Sequence, residues 1–425
     1  MIVKPAKNIL GAARLPGDKS ISHRYAMLAS IANGVSRFQN FSTGDDCAST
    51  LACVEALGVK VRRSGDGGVE IEGAGPRLHP PIAALTCGNS GSTMRMLAGI
   101  LAGQDFPSEL VGDASLSRRP MARVVEPLLR MGAKVSAADG GRPPLRISGG
   151  RLTAIDYAMP VASAQVKTAI LFAGLFAKET TTVEEPMRTR DHGELALRAF
   201  GAEVQRSKNR ISIAGGQSLQ AISAGIPGDI SSAAFFMCAA AMFPGSNLVF
   251  DDLLLNPTRA SLLDVLAGMG ARISVINLQD HHGELVGTVK VEHGRLKGTK
   301  ISGAQSAALI DELPVLAAIA PFTEEGIEVR DARELRVKES DRIAAMAKGL
   351  RAMGATVEEF EDGFRIPGGR QLHGAEVDSA GDHRIAMALA VAALRAYGES
   401  RIAEAEAVSI SFPEFFRILD LVADR

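Results

Sequence analysis

Six apolar, helix-like runs open on a Ser or an Asp at nearly even spacing: Ser20, Ser90, Ser163, Ser231, Ser306 and Asp382. The steps are 70, 73, 68, 75 and 76 residues. Such self-similarity limits the available folds more tightly than local propensity does, because one supersecondary unit must stack on its copies. A second motif interleaves with the first. Leu57-Gly58-Val59-Lys60-Val61 returns in kind at 131–135, 200–204, 269–273 and 353–357. Each copy predicts a helix ending on a C′ glycine and then a strand. The runs before it are amphipathic: Leu262, Leu266 and Met269, or Ile343, Ala347 and Leu350, fall on one helical face. Each period therefore holds two helices and several short strands, an α/β unit.

One further period after Gly354 ends at the last residues, so the helical run 412–423 has no strand to follow it. The segment 2–14 has a strand but no helix before it. The N-terminus is expected to complete the last unit, which puts both chain ends in one domain. Leu15-Pro16-Gly17-Asp18 recurs as Ile226-Pro227-Gly228-Asp229, three periods on. Pro-Gly marks a turn, and these two sites are the expected crossovers. The expected domains are 19–226 and 1–18 plus 227–425, with three units in each.

The length suits two or three domains with full cores. A net charge of -1 gives no global attraction to nucleic acid or an acidic membrane. The four cysteines, Cys47, Cys53, Cys87 and Cys238, have no CxxC spacing, which predicts reduced thiols in the cytoplasm. No signal-peptide apolar region opens the chain, and the apolar runs 168–177 and 233–243 are too short to span a bilayer.

Any preference for anions must then be local. A helix start exposes free N–H groups and the positive end of the dipole. Lys19-Ser20-Ile21-Ser22-His23-Arg24 adds a lysine over such a start and an arginine one turn on. Lysine offers a point charge, and arginine a bidentate clamp, to phosphate or carboxylate. Gly88-Asn89-Ser90-Gly91-Ser92-Thr93-Met94-Arg95 is small and hydroxyl-rich and ends in a base. Arg118-Arg119-Pro120 precedes a helix expected to have proline at N1. Arg188-Thr189-Arg190 leads into Asp191-His192-Gly193-Glu194, a capping-box pattern. Lys338-Glu339-Ser340-Asp341-Arg342 opens another helix, and Arg384 follows the Asp382 cap. Singly, each is more commonly a solvated charge at a cap. Together they predict small ligands carrying several negative groups. Two carboxylates stand out for acid/base work: Glu339, between Lys338 and Arg342, and Asp311, in an otherwise apolar run expected to be helical. No Walker loop, GxGxxG, G-x-S-x-G elbow or metal-spaced His/Cys set is present.

The chain resembles the EPSP synthase family of enolpyruvyl transferases. The resemblance rests on LPGDKSISHR (15–24), GNSGSTMR (88–95), RRPM (118–121), SAQVKTA (163–169) and TRDHGE (189–194). It continues through IPGDISSAAFF (226–236), LIDELPVLA (309–317), LRVKESDRI (335–343), DHRIAMALA (382–390) and SFPEFF (411–416), all in collinear order. It implies a two-domain fold of six βαβαββ units whose ligands close an interdomain cleft. It implies transfer of the enolpyruvyl group of phosphoenolpyruvate to the 5-hydroxyl of shikimate 3-phosphate, with release of phosphate and no metal or organic cofactor. By resemblance Lys19, Ser20, Arg24, Ser163, Ala164, Gln165, Arg190, Asp311 and Lys338 hold shikimate 3-phosphate. Lys19, Gly91, Arg119, Gln165, Arg342 and Arg384 hold phosphoenolpyruvate. Asp311 and Glu339 are the acid/base pair, assisted by Lys19. Asp311 accepts or orients the hydroxyl proton, and Glu339 is placed to protonate the methylene carbon. The sequence leaves that division of labour open.

Two positions depart from the family pattern. Ile410 stands where many members have lysine, and Ala164 where many have serine. Gly91 keeps the glycine associated with sensitivity to glyphosate. Two other functions compete. The sister enzyme that uses UDP-N-acetylglucosamine typically carries a cysteine on a mobile loop, and no cysteine here lies beside an arginine in such a loop. A non-catalytic polyanion binder need not keep Asp311 and Glu339, and both are present. The expected partners are the two small substrates alone, bound by a monomer without nucleic acid or membrane.

Overall fold

The computed structural model describes residues 1–65 and 67–425. It divides into two compact units. One holds Gly17–Ile226 with the short stretch His281–Glu284. The other, the terminal unit, holds Met1–Pro16, Pro227–Asp280 and Leu285–Arg425.

The 17–226 unit contains α1 (Lys19–Ser30), α2 (Asp45–Ala56), α3 (Gly91–Ala102), α4 (Ala122–Arg130), α5 (Ala164–Gly174) and α6 (His192–Ala199). Its three sheets share one plan: a lead strand runs parallel to the next, and an antiparallel pair follows. In the first sheet Ser223–Gly225 leads Val35–Gln39, then Val69–Glu72 and Lys60–Arg63. The lead strand therefore comes from the far end of the unit and closes it on its beginning. The sheets around Pro107–Val111 and Thr180–Glu184 repeat the order with lead strands Leu85–Thr86 and Asp156–Ala158.

The terminal unit contains α7 (Ile230–Met242), α8 (Ser261–Met269), α9 (Gly303–Ala308), α10 (Leu313–Ile319), α11 (Arg342–Ala352), α12 (His383–Leu394) and α13 (Phe415–Val422). Asn8–Ala12 leads its first sheet, parallel to Asn247–Leu254. Ile2–Val3 pairs with Ser400–Ala403 at the edge of the last sheet. One detail differs: α13 is followed by a short strand, Ala423–Asp424, which pairs with Asn8–Ala12.

The first helix of a repeat is the buried one, except in the fifth, where α9 is largely exposed and α10 is buried. α5, α7 and α12 are apolar around nearly their whole circumference, so each is enclosed by its neighbours. Each buried Leu, Ile or Phe there contributes about 1.5–3 kcal/mol. α3 packs on α5, and α7, α10 and α12 pack on one another. The second helices are amphipathic and end at Gly58, Gly132, Gly201, Gly270 and Gly354, all at φ between 87° and 111°. Only glycine adopts that conformation without strain, so the repeated glycine is a helix stop, as its spacing predicts.

Four local expectations are corrected. α1 and α7 do not start on Ser20 and Ser231. The aspartates of the repeated Pro-Gly-Asp turn cap them: Asp18 Oδ1 accepts from Ile21 N at 2.8 Å and Asp229 Oδ1 from Ser231 N at 2.7 Å. An aspartate two residues upstream outcompetes the serine because its charged oxygen suits the helix dipole. No helix opens at Ser306. It lies inside short α9, its hydroxyl donating to Arg330 O at 2.6 Å, and α10 starts anew at Leu313 with Pro314 in its first turn. Asp311 therefore sits in the turn between two helices rather than within one. Pro120 is not N1 of α4, which begins two residues later.

Candidate active site

In the 17–226 unit, three helix starts bring the expected residues to the ends of α1, α3 and α5. Ser90 Oγ accepts from Thr93 N at 3.1 Å and Ser163 Oγ from Val166 N at 3.3 Å, so both serines are caps, as read from sequence. Lys19 Nζ lies 2.8 Å from Asp46 Oδ2. Arg24 is buried; Nη1 donates to Ser20 O at 2.9 Å and Nη2 to Thr168 Oγ1 at 3.1 Å. Burial lowers its pKa to about 10, against the opposing pull of Glu194 and Asp18, so it stays charged at neutral pH. Its Nε has no hydrogen-bond partner. A buried, unsatisfied N–H on a cation is a strong attraction for an anionic ligand.

Gln165 ties α5 to α3. Its Oε1 accepts from Arg95 Nη1 at 2.9 Å, and its Nε2 donates to Ser92 Oγ at 2.9 Å. Arg119 Nη2 donates to Asn89 Oδ1 at 2.5 Å and Ser115 Oγ at 3.2 Å. Gly91 lies under both arginines: a Cβ there would come within 2.7 Å of Arg95 Nη1 and 3.5 Å of Arg119 Nη1. Arg190 is half-buried just before α6. The expected capping box is absent: Asp191 makes no side-chain cap, and Glu194 turns to Lys167 and Arg206 instead.

In the terminal unit, one guanidinium organises the site. Arg342 is buried at the start of α11, with its Nε 2.8 Å from Asp382 Oδ2, the cap of α12. Its Nη2 donates to Glu339 Oε2 at 2.6 Å, and its Nη1 stands 3.5 Å from Asp311 Oδ1. Arg384 adds a second cation: Nη1 donates to Asp311 O at 2.9 Å, and Nε lies 3.7 Å from Asp311 Oδ1. The two candidate acid/base carboxylates, 28 residues apart in sequence, thus converge on Arg342. Burial works against the Arg342 charge, but Asp382, Glu339 and Asp311 outweigh it and raise its pKa. Burial also pushes the Asp382 carboxyl up, yet Arg342 overrides that and holds it below the ordinary range. Lys338 is half-buried beside Glu339. Ile410 ends the 3-10 turn Ala405–Ile410.

Several contributors escape a sequence reading. Asp46 pairs with Lys19 from 27 residues away, and Asp382 is a partner of Arg342 as well as a cap. Ser231 receives a base that its own segment does not supply: Arg259 Nη2 donates to its hydroxyl at 2.7 Å. Ser231 Oγ in turn donates to Glu312, the neighbour of Asp311. The one local signal is Asn256-Pro257-Thr258-Arg259, a turn that Asn256 caps by accepting from Thr258 N at 2.8 Å.

Among solved structures, the chain is similar to an EPSP synthase from Acinetobacter baumannii, with a TM-score of 0.89 and 41% identity over 99% of this chain and 97% of that one. The enolpyruvyl transferase NikO from Streptomyces tendae matches with a TM-score of 0.80 at 18% identity, a likeness of fold alone, over 100% of this chain and 97% of that one. The fold is that of the enolpyruvyl transferases. The family model for EPSP synthase (3-phosphoshikimate 1-carboxyvinyltransferase) matches residues 3–419. The chain is 62% identical to the 3-phosphoshikimate 1-carboxyvinyltransferase of Koribacter versatilis, over all of this chain and 99% of the relative. It is 54% identical to the Solibacter usitatus protein of the same name, over 99% of each. The chain belongs to the EPSP synthase family.

Proposed function

We propose that this chain transfers the carboxyvinyl group of phosphoenolpyruvate to the 5-hydroxyl of shikimate 3-phosphate, with loss of phosphate, as a step of aromatic amino acid biosynthesis. The observation that carries the proposal is the convergence of Asp311 and Glu339 on buried Arg342. A binder of polyanions gains from cations but has no use for two acidic groups among them. An acid/base enzyme needs both.

The family membership supplies the proposed residue roles. Ser20, Arg24, Ser163, Ala164, Gln165, Arg190 and Lys338 hold shikimate 3-phosphate. Gly91, Arg119, Gln165, Arg342 and Arg384 hold phosphoenolpyruvate, and Lys19 serves both. Asp311 receives the proton of the attacking hydroxyl. Arg342 and Arg384, 3.5 and 3.7 Å from its Oδ1, orient its carboxylate for that contact. Glu339, with Lys19, delivers a proton to the methylene carbon. The arginines stabilise the negative charge of the departing phosphate. With no lysine at Ile410, Arg342 and Arg384 carry that contact.

A cysteine-dependent route, as in the sister enzyme, has little support. All four cysteines are buried, and burial pushes the Cys47 and Cys238 thiols upward, away from a reactive thiolate. A net charge of -1 with locally placed bases favours small free substrates over nucleic acid or membrane. No helix among the described residues is long and apolar enough to cross a membrane. We take the enzyme to act as a cytoplasmic monomer. Turnover with shikimate 3-phosphate and with UDP-N-acetylglucosamine, measured side by side, tests the proposal. Product from the sugar nucleotide alone would overturn it.

A further inference from the structure

Next to the Arg190 segment lies a charge cluster that the reaction does not use, with Lys167, Glu185 and Glu194 buried and Arg206 partly exposed at its edge. Lys167 has no solvent exposure; its Nζ stands 3.0 Å from Glu185 Oε2 and 2.9 Å from Glu194 Oε1. Arg206 closes the square, with Nη2 2.9 Å from Glu185 Oε1 and Nη1 2.9 Å from Glu194 Oε1. Two cations and two carboxylates balance. Apolar residues of similar volume would fill such a space at equal or lower free-energy cost, so stability alone is a weak reason for the cluster.

Its connections suggest another reason. Glu185 Oε2 also accepts from Thr189 N at 2.9 Å and from the Thr189 hydroxyl. Thr189 is the residue before Arg190. The cluster therefore grips the backbone that presents Arg190. Lys167 belongs to α5, two residues after Gln165, and Glu194 to α6, so one cluster joins the acceptor-side helix start to the Arg190 segment. The neighbouring Thr168 accepts from Arg24, and Gly193 makes room for it: a Cβ at Gly193 would meet Thr168 Oγ1 at 2.6 Å.

We propose that Lys167, Glu185 and Thr189 are positioning residues for the acceptor substrate. The Glu185 carboxylate, neutralised by Lys167 and Arg206, fixes the Thr189 backbone so that Arg190 meets shikimate 3-phosphate in register with Ser163–Gln165. The proposal rests on the assignment of Arg190 to that substrate.

Thr189→Val tests it, because it removes one hydrogen bond to Glu185 and leaves the charge balance and side-chain shape in place. Lys167→Met is less useful: it leaves two carboxylates on one guanidinium, and loss of fold there would not discriminate. Steady-state constants are measured for wild type, Thr189→Val, Arg190→Ala and the double variant, each with its melting temperature. Arg190→Ala is expected to raise KM for shikimate 3-phosphate about tenfold. Thr189→Val is expected to raise the same KM roughly fivefold, the scale of one hydrogen bond, with smaller changes in kcat and in KM for phosphoenolpyruvate. Its effect is expected to vanish in the Arg190→Ala background, since a positioning residue acts only through the group it positions. If Arg190→Ala raises that KM while Thr189→Val does not, or if the two effects multiply in full, the positioning role is overturned and the substrate assignment stands. If Arg190→Ala leaves KM unchanged, both fall.

Discussion

Arg342 and Asp382 lock together inside the terminal unit, with Nε 2.8 Å from Oδ2 and Nη2 3.3 Å from Oδ1. The guanidinium side chain is 1% exposed and the carboxylate not at all. Asp382 also caps α12 through Arg384 N at 2.9 Å and accepts from Ser340 Oγ at 3.1 Å. One carboxylate thus sets the start of α12, the Arg342 guanidinium and the turn at Ser340 that leads into α11.

Asp382→Ala is expected to destabilise the protein by about 3 kcal/mol, the low end for a broken buried ion pair, because Glu339 still holds Arg342. The pH dependence follows from the sign of the shift. The folded-state pKa of Asp382 lies below its ordinary 3.8, so its contribution is present above that value and is lost as pH falls through the folded value. Denaturant unfolding should show a wild-type advantage over Asp382→Ala that is constant near neutrality and shrinks below about pH 4. An advantage unchanged in acid would argue against the ion pair.

His23 gives a second, distinct pH signature. Burial first, then Lys19 and Arg24, depress its pKa well below 6.5, so the folded state holds it neutral. Below 6.5 the unfolded chain takes up a proton that the folded chain refuses, so stability is full above that pH and falls as pH drops beneath it. One such group contributes a slope of at most about 1.4 kcal/mol per pH unit. Denaturation midpoints at pH 5 and pH 7 should differ by less in His23→Asn than in wild type.

Gly91→Ala should weaken phosphoenolpyruvate binding. The new methyl group would displace the Arg95 guanidinium, 2.7 Å away, and with it the bond to Gln165. KM for phosphoenolpyruvate is expected to rise by about tenfold, from the loss of one charge-assisted hydrogen bond. The wild type is expected to be inhibited by glyphosate and the variant less so. Full wild-type activity at millimolar glyphosate would contradict this.

Much of this architecture is legible locally. Caps at Ser90, Ser163 and Asp382, and the stops at Gly58 through Gly354, depend on a few adjacent residues and on glycine's access to positive φ. The turn at Asp311 is less so, because Pro314 and the break after Ala308 divide a run whose apolar pattern is continuous. What sequence hides are the counter-ions. Asp46 for Lys19, Asp382 for Arg342, and Glu185 and Glu194 for Lys167 reach their partners through tertiary packing, and no spacing rule pairs them. The cations are visible in the motifs, whereas the groups that aim them are not.

Asp311→Ala should lower kcat by about 10²–10⁴, the scale of one general acid–base group. Phosphoenolpyruvate binding, followed by calorimetry, should persist, since Arg342 keeps Asp382 and Glu339 as partners. Near-normal turnover would remove Asp311 from proton transfer.

Carboxyvinyl transfer itself is followed by measuring inorganic phosphate released from phosphoenolpyruvate by the wild-type enzyme, with and without shikimate 3-phosphate. Release is expected only when the acceptor is present, in equal amount to the carboxyvinyl product. Release without the acceptor, or none with both substrates, would contradict the proposed transfer.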